Sequence, residues 1–223
     1  MKQRVILGNA VTPDGSPMTL SQEGADLVIR VGGRSLMSSR QHGSEEAMAQ
    51  AGCAGLRERP GVRVLVGGLG MGFTLRAALD ELGADATVLV SELMPAVVAW
   101  NRGPLAALAG EPLGDPRTVV LERDVAEVLG EERGSLDAIL LDVDNGPGAV
   151  TTEGNDRLYS PRGVRAGWQA LRPGGRLVVW SAHDDAEFVQ LLRRERFAAE
   201  ARLVSARGAA GRGAKHWLFI GQK

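Results

Sequence analysis

From residue 62 onward the chain alternates between short apolar runs and segments with helical spacing. RVLVGG, ATVLVSE, TVVLERD, AILLDVD and RLVVWSA are separated by patterns such as FTLRAALDEL and PRGVRAGWQAL. Short β-rich runs that alternate with amphipathic helices have few solutions other than a parallel sheet with helices on both faces. The tail changes character: EARLVSARG and HWLFIGQ, joined by the glycine-rich GAAGRGAK, read as a closing antiparallel hairpin. The expected fold class is therefore α/β, a doubly wound, mostly parallel sheet of about seven strands.

Ahead of that frame, residues 3–40 read as short strands punctuated by Gly and Asp, a small N-terminal β-hairpin layer. HGSEEAMAQAGCAGLRERPG then reads as one helix, with Ser44 as its cap and Glu45 and Glu46 favouring its positive end. Two regions follow from this division, a β-hairpin region over 1–41 and the main α/β domain over 42–223.

Bulk charge points to small molecules rather than to polymers, because 26 basic residues balance 27 acidic ones and leave a net charge of −1. Nucleic acid is not an expected partner. The lone Cys53 permits no intrachain disulfide and no multi-cysteine zinc site, so no metal is expected and the thiol reads as a small packed residue. The N-terminal apolar run is too short for a signal peptide and no stretch approaches a membrane span, which makes a cytoplasmic protein the expectation.

The chemistry gathers at strand ends. In VLVGGLGMG the glycines at 68, 70 and 72 follow a strand directly and precede a helix directly. Such a loop lets backbone approach a ligand while the helix start offers unpaired N–H donors. A dinucleotide fingerprint would place its third glycine at Phe73, so the spacing speaks against NAD. The next strand ends in Glu92, roughly 20 residues on, where doubly wound folds place a carboxylate for the ribose hydroxyls. Asp124, at the end of VVLERDV, is placed to accept from an adenine amino group.

GGLGMGFTLR, SELMPAVV, RDV and ILLDVDNGPGA together resemble the class I S-adenosylmethionine-dependent transferases, and within them the spermidine synthase-like group. The resemblance spans nearly the whole chain and implies a Rossmann-like fold. It implies a cofactor site of Gly68, Gly70, Met71, Gly72, Glu92, Leu93, Asp124, Val125 and Asp142 for S-adenosylmethionine or its decarboxylated form. It also implies a homodimer built through the hairpin layer, whose strands would otherwise expose edges.

Three departures from that group bear on the reaction. Met71 stands where aminopropyltransferases carry an aspartate for the donor's amine, and a thioether cannot pair with an ammonium. Asn145 stands where the group has the aspartate that deprotonates the attacking amine, and an amide cannot take that proton at neutral pH. HGSEE replaces a tyrosine-glutamine-glutamate run that faces the polyamine. These losses favour methyl transfer to a small-molecule acceptor, with polyamine aminopropyl transfer as the alternative. A protein that only binds the nucleoside, or one that cleaves the cofactor's own tail, is a further alternative.

Candidate catalytic residues are Asp142, Asp144, Asn145 and His183, the last just past the fifth main strand in WSAHDDAEF. The competing reading is that His183 or Asp184 caps the following helix. His42, ahead of the first helix, and Tyr159, the only tyrosine, are the candidate acceptor-binding residues. His216, Trp168 and Trp180 read as structural, and the arginines of LLRRER as a solvated face.

Overall fold

The computed structural model describes residues 3–143, 146–147, 156–208 and 213–223. Strands β1 (Arg4–Val11), β2 (Pro17–Glu23), β3 (Asp26–Val31) and β4 (Arg34–Ser38) form an antiparallel four-stranded sheet in chain order. The alternation of the second and third strands sends Met18, Leu20 and Ile29 into the same core as the helices of the main domain. β1 lies across Trp100, where a Cβ on Gly8 would come within 2.3 Å of the indole nitrogen. This approach needs a residue without a side chain.

Helix α1 (Gly43–Cys53) leads into β5 (Arg63–Gly67), α2 (Phe73–Glu81), β6 (Thr87–Ser91) and α3 (Pro95–Arg102). Then come β7 (Thr118–Leu121), α4 (Val125–Glu131), β8 (Leu136–Leu141), the short α5 (Asp156–Tyr159), α6 (Pro161–Ala170) and β9 (Leu171–Ser181). The chain closes with α7 (Ala186–Arg194), β10 (Ala198–Ser205) and β11 (Lys215–Gln222). The main sheet has the order β10-β11-β9-β8-β5-β6-β7, with β11 antiparallel to both neighbours and the other contacts parallel. The expected doubly wound sheet of seven strands with a separate N-terminal β layer is what the chain forms.

The strand order reverses between β5 and β8. The chain runs outward from β5 through β6 to β7, then returns to lay β8 on the other side, so the loops after β5 and β8 diverge and leave a crevice at their carboxyl ends. β8 is buried at every position, as a strand covered by helices on both faces must be. The helices divide the core into two layers. Met48, Leu75, Leu79 and Val98 fill one side of the sheet, and Leu129, Val164, Phe188 and Leu192 the other.

At the opposite, amino-terminal end of the sheet a single carboxylate ties three elements. Asp137, whose side chain is fully buried, accepts from Arg59 Nη2 at 2.7 Å, Arg172 Nη1 at 2.6 Å and the Arg63 backbone N–H at 2.9 Å. A buried carboxylate is tolerated only with such partners. Among the described residues no helix is long and apolar enough to cross a membrane.

Candidate functional site

The glycine loop is a rigid crossing rather than a loose connection. Gly68, Gly70 and Gly72 take φ of +87°, +51° and +84°, a region that side chains rarely enter. A Cβ on Gly68 would stand 2.4 Å from the Asp142 carbonyl oxygen, so the loops after β5 and β8 touch backbone to backbone at the switch point. Gly72 supplies no capping side chain, which leaves the first N–H groups of α2 for a ligand. Asn101, buried on α3, holds the loop from behind by donating through Nδ2 to the Gly70 carbonyl and to Val97 O, both at 2.9 Å.

Met71 does not face a ligand. Its side chain is fully buried in the core, so at this expected cofactor-site position the loop offers only its backbone. The reason is local: with glycines on both sides in left-handed conformation, the intervening residue is turned inward. Met37 of β4 lies over Gly70 instead, with its sulfur 3.1 Å from where a Cβ would be.

Glu92 follows β6 and is 9% exposed. Its Oε2 accepts from Leu69 N at 2.9 Å and its Oε1 from Met94 N at 2.8 Å, which fixes the carboxylate between the glycine loop and the start of α3. Burial pushes its pKa up, and the amide bonds oppose that by favouring the charged form. The neighbouring Leu93 is exposed. Asp124 has two partners that the sequence did not announce. Its Oδ1 caps α4 through Ala126 N at 2.8 Å, and its Oδ2 accepts from Arg157 Nη2 at 2.9 Å. Val125 is buried against Gly67 rather than turned to the rim.

Asp142 lies just past β8, with its N–H on the Gly67 carbonyl and its Oδ2 accepting from Thr74 Oγ1 at 2.6 Å. A second acid joins it. Glu45, 7% exposed on the first turn of α1, is close enough that Asp142's charge adds to burial in raising its pKa, to about 7. Burial likewise raises Asp142. Among the described residues no cation figures in the groups acting on either acid, so nothing there offsets the burial that raises both.

Behind Glu45 runs a chain of polar groups. Ser44 Oγ donates to Glu45 Oε2 at 2.6 Å and lies 2.9 Å from His216 Nδ1. Since the hydroxyl has one proton and gives it to Glu45, Nδ1 is the donor to Ser44 in this arrangement. Burial lowers the His216 pKa and favours the neutral ring, which meets Trp180 edge-on at 4.5 Å between centroids. Trp180 Nε1 is buried and has no acceptor among the described residues. Glu45, Ser44, Thr74 and Asn101 were not read as site residues, and His216 was read as structural.

Other expectations are placed as follows. Ser44 does not cap α1. His42 occupies the cap position, without a capping bond, and Ser44 lies within the helix. The His42 ring stacks on Phe73 at 4.3 Å and 17°, with Nδ1 2.7 Å from Glu46 Oε1, which brings it to the start of α2 beside the glycine loop. His183 is exposed and is tied by its backbone to Ser181 Oγ, and the cap of α7 is Asp185, accepting from Phe188 N at 2.8 Å. Tyr159 donates to Val143 O at 3.0 Å and packs edge-on against Phe188, so it buttresses the segment after β8. Asp144 and Asn145 lie outside the described residues.

The rim thus brings together Gly68, Gly70, Gly72, Glu92, Asp142, Thr74 and Glu45 in one acidic crevice. Neither a protein-family model nor a curated protein sequence matches the chain. Solved structures do. Spermidine synthase from Thermotoga maritima superposes with a TM-score of 0.76 at 18% identity, over 98% of this chain and 72% of that one. The fold is that of the spermidine synthases. A spermidine synthase in complex with the transition-state analogue AdoDATO gives a TM-score of 0.74 at 18% identity, with the same 98% and 72% coverage. A probable spermidine synthase from Corynebacterium glutamicum ATCC 13032 gives 0.66 at 17%, over 100% of this chain and 81% of that one. The expectation of methyl transfer is overturned here: the similar structures carry the name of the alternative, aminopropyl transfer, and methyl transfer is set aside.

The residues fit the nucleoside part of such a donor. Side chains are missing where Gly68 and Gly70 cross the crevice, α2 leaves N–H donors open, and the acid after β6 is anchored. At Asp124 both oxygens already have partners, Oδ1 the Ala126 N–H and Oδ2 Arg157.

Proposed function

We propose that the chain is an aminopropyltransferase that uses decarboxylated S-adenosylmethionine and a small aliphatic amine as acceptor. The observation that carries this reading is the buried pair Glu45 and Asp142 beside the glycine loop, with no cation acting on either among the described residues. Two desolvated acids without a counter-ion favour a cationic ligand. The decarboxylated donor supplies a propylamine carbon activated by positive sulfur. Gly68, Gly70 and Gly72 receive its nucleoside, Glu92 accepts from the sugar hydroxyls, and Leu93, Asp124 and the backbone of Val125 border the base. Asp142 is placed between donor and acceptor, with His42 on the acceptor side. The missing aspartate at Met71 is answered by acids contributed from α1 and from the end of β8.

The chain is expected to release methylthioadenosine when incubated with the decarboxylated donor and putrescine, and to release none with putrescine and intact S-adenosylmethionine. Chromatography of the nucleoside product reads both. No release with putrescine, cadaverine or spermidine would sink the reading. The exposed Val5, Ile6, Leu7 and Val11 of β1 support a homodimer through the N-terminal sheet. Light scattering is expected to give twice the chain mass, and a monomer would remove this part of the proposal.

A further inference from the structure

Amine attack needs a proton acceptor. A protonated nitrogen has no lone pair to offer, and Asn145 cannot serve in place of a carboxylate. Asp142 is one candidate on the rim, but its Oδ2 is occupied by Thr74 and no polar path leads onward from it among the described residues. Glu45 has one. Its Oε2 is joined through Ser44 Oγ to His216 Nδ1, and the half-buried His216 lies near the start of β11, toward solvent.

The geometry points to Glu45 as the group that takes the proton from the attacking amine, with Ser44 and His216 passing it outward. The inference rests on the aminopropyltransferase reading and adds a residue that the sequence comparison had marked only as a helix-end acid. In the step, the acceptor ammonium gives a proton to a Glu45 oxygen. The freed lone pair then forms the carbon–nitrogen bond as the carbon–sulfur bond breaks, and its electrons remain on sulfur, which becomes a neutral thioether. The second proton on the new ammonium leaves with the product or by the same route. For onward transfer the Ser44 hydroxyl turns from Glu45 to an unprotonated His216 Nδ1: the proton on Glu45 passes to Ser44 Oγ as the Ser44 proton passes to Nδ1, and the ring gives up its Nε2 proton to solvent, so neither Ser44 nor His216 changes its net proton count.

Charged and titratable groups reach Glu45 from three elements among the described residues. Asp142 faces it from the end of β8, Glu46 from its own helix and His216 from β11 through Ser44, while His42 is engaged with Glu46. Both acidic neighbours make its carboxylate more basic, which keeps the proton exchangeable near neutral pH. Ser44 and His216 touch no reacting atom and are positioning residues.

The test uses Glu45→Gln and Ser44→Ala in the full chain. With putrescine and the decarboxylated donor, Glu45→Gln is expected to lower kcat by at least about a hundredfold and to flatten the rise of kcat with pH. Ser44→Ala is expected to lower kcat by less and to shift that rise. Methylthioadenosine affinity by calorimetry should equal that of the parent in both, which shows that the variants are folded. Parental kcat and pH profile in Glu45→Gln would overturn the inference and leave the transferase reading standing. A parent that releases no methylthioadenosine sinks the transferase reading, and a second measurement then decides on Glu45. Putrescine is titrated into protein saturated with methylthioadenosine, in two buffers of different ionisation enthalpy. Proton release in the parent that is absent in Glu45→Gln supports the assignment, and equal or no release in both overturns it.

Discussion

Glu92→Ala is expected to weaken methylthioadenosine binding by roughly a hundredfold or more, since hydrogen bonds to a charged acceptor contribute about 1.5–3 kcal/mol each and two ribose hydroxyls lose theirs together. The loss has a second source within the protein. Both carboxylate oxygens are held by backbone amides, Leu69 N and Met94 N, and truncation orphans a donor in the glycine loop and one at the start of α3. Glu92→Gln keeps an acceptor for one of these amides and should fall between the alanine variant and the parent. Calorimetry with the nucleoside product reads all three. Parental affinity in Glu92→Ala would mean that the sugar lies elsewhere on the sheet.

The other large effect is on stability. Asp137→Ala should cost about 3 kcal/mol, the lower end for removing one member of a buried ionic cluster. The guanidinium groups of Arg59 and Arg172 are partly exposed and can rehydrate, but the Arg63 N–H loses its acceptor at the start of a central strand. For a chain of this length the midpoint of thermal unfolding is expected to fall by about 6–12 °C, measured by calorimetric scanning. Nucleoside affinity should not change. A shift within about 1 °C would mean that the three contacts contribute nothing net.

What the sequence made legible was what repeats or sits at the end of a repeat. Apolar runs of strand length located β5 to β9, and the glycine or acid that closes the first four placed Gly68, Glu92 and Asp142 at one edge, because parallel strands with helical returns deliver all their carboxyl ends to the same rim. Glu45 was illegible for the converse reason. Two adjacent glutamates at a helix start look alike in a sequence, and only the packing of α1 against β8 and β11 buries the first beside Asp142 while the second stays outside with His42. The inward turn of the Met71 side chain was illegible because a loop aligned by its glycines says nothing of which way the residue between them turns. The pairing of Asp124 with Arg157 joins segments that no local pattern relates. The cap of α7 fell one residue beyond the acid proposed for it, the ordinary scatter of helix ends.

Asp137 and its three partners secure the sheet at the end farthest from the crevice. Whatever clamps the scaffold there is spared at the rim, where Glu45 and Asp142 have no cation acting on them among the described residues. A frame clamped at that far end leaves the residues of the crevice free to change without loosening the sheet.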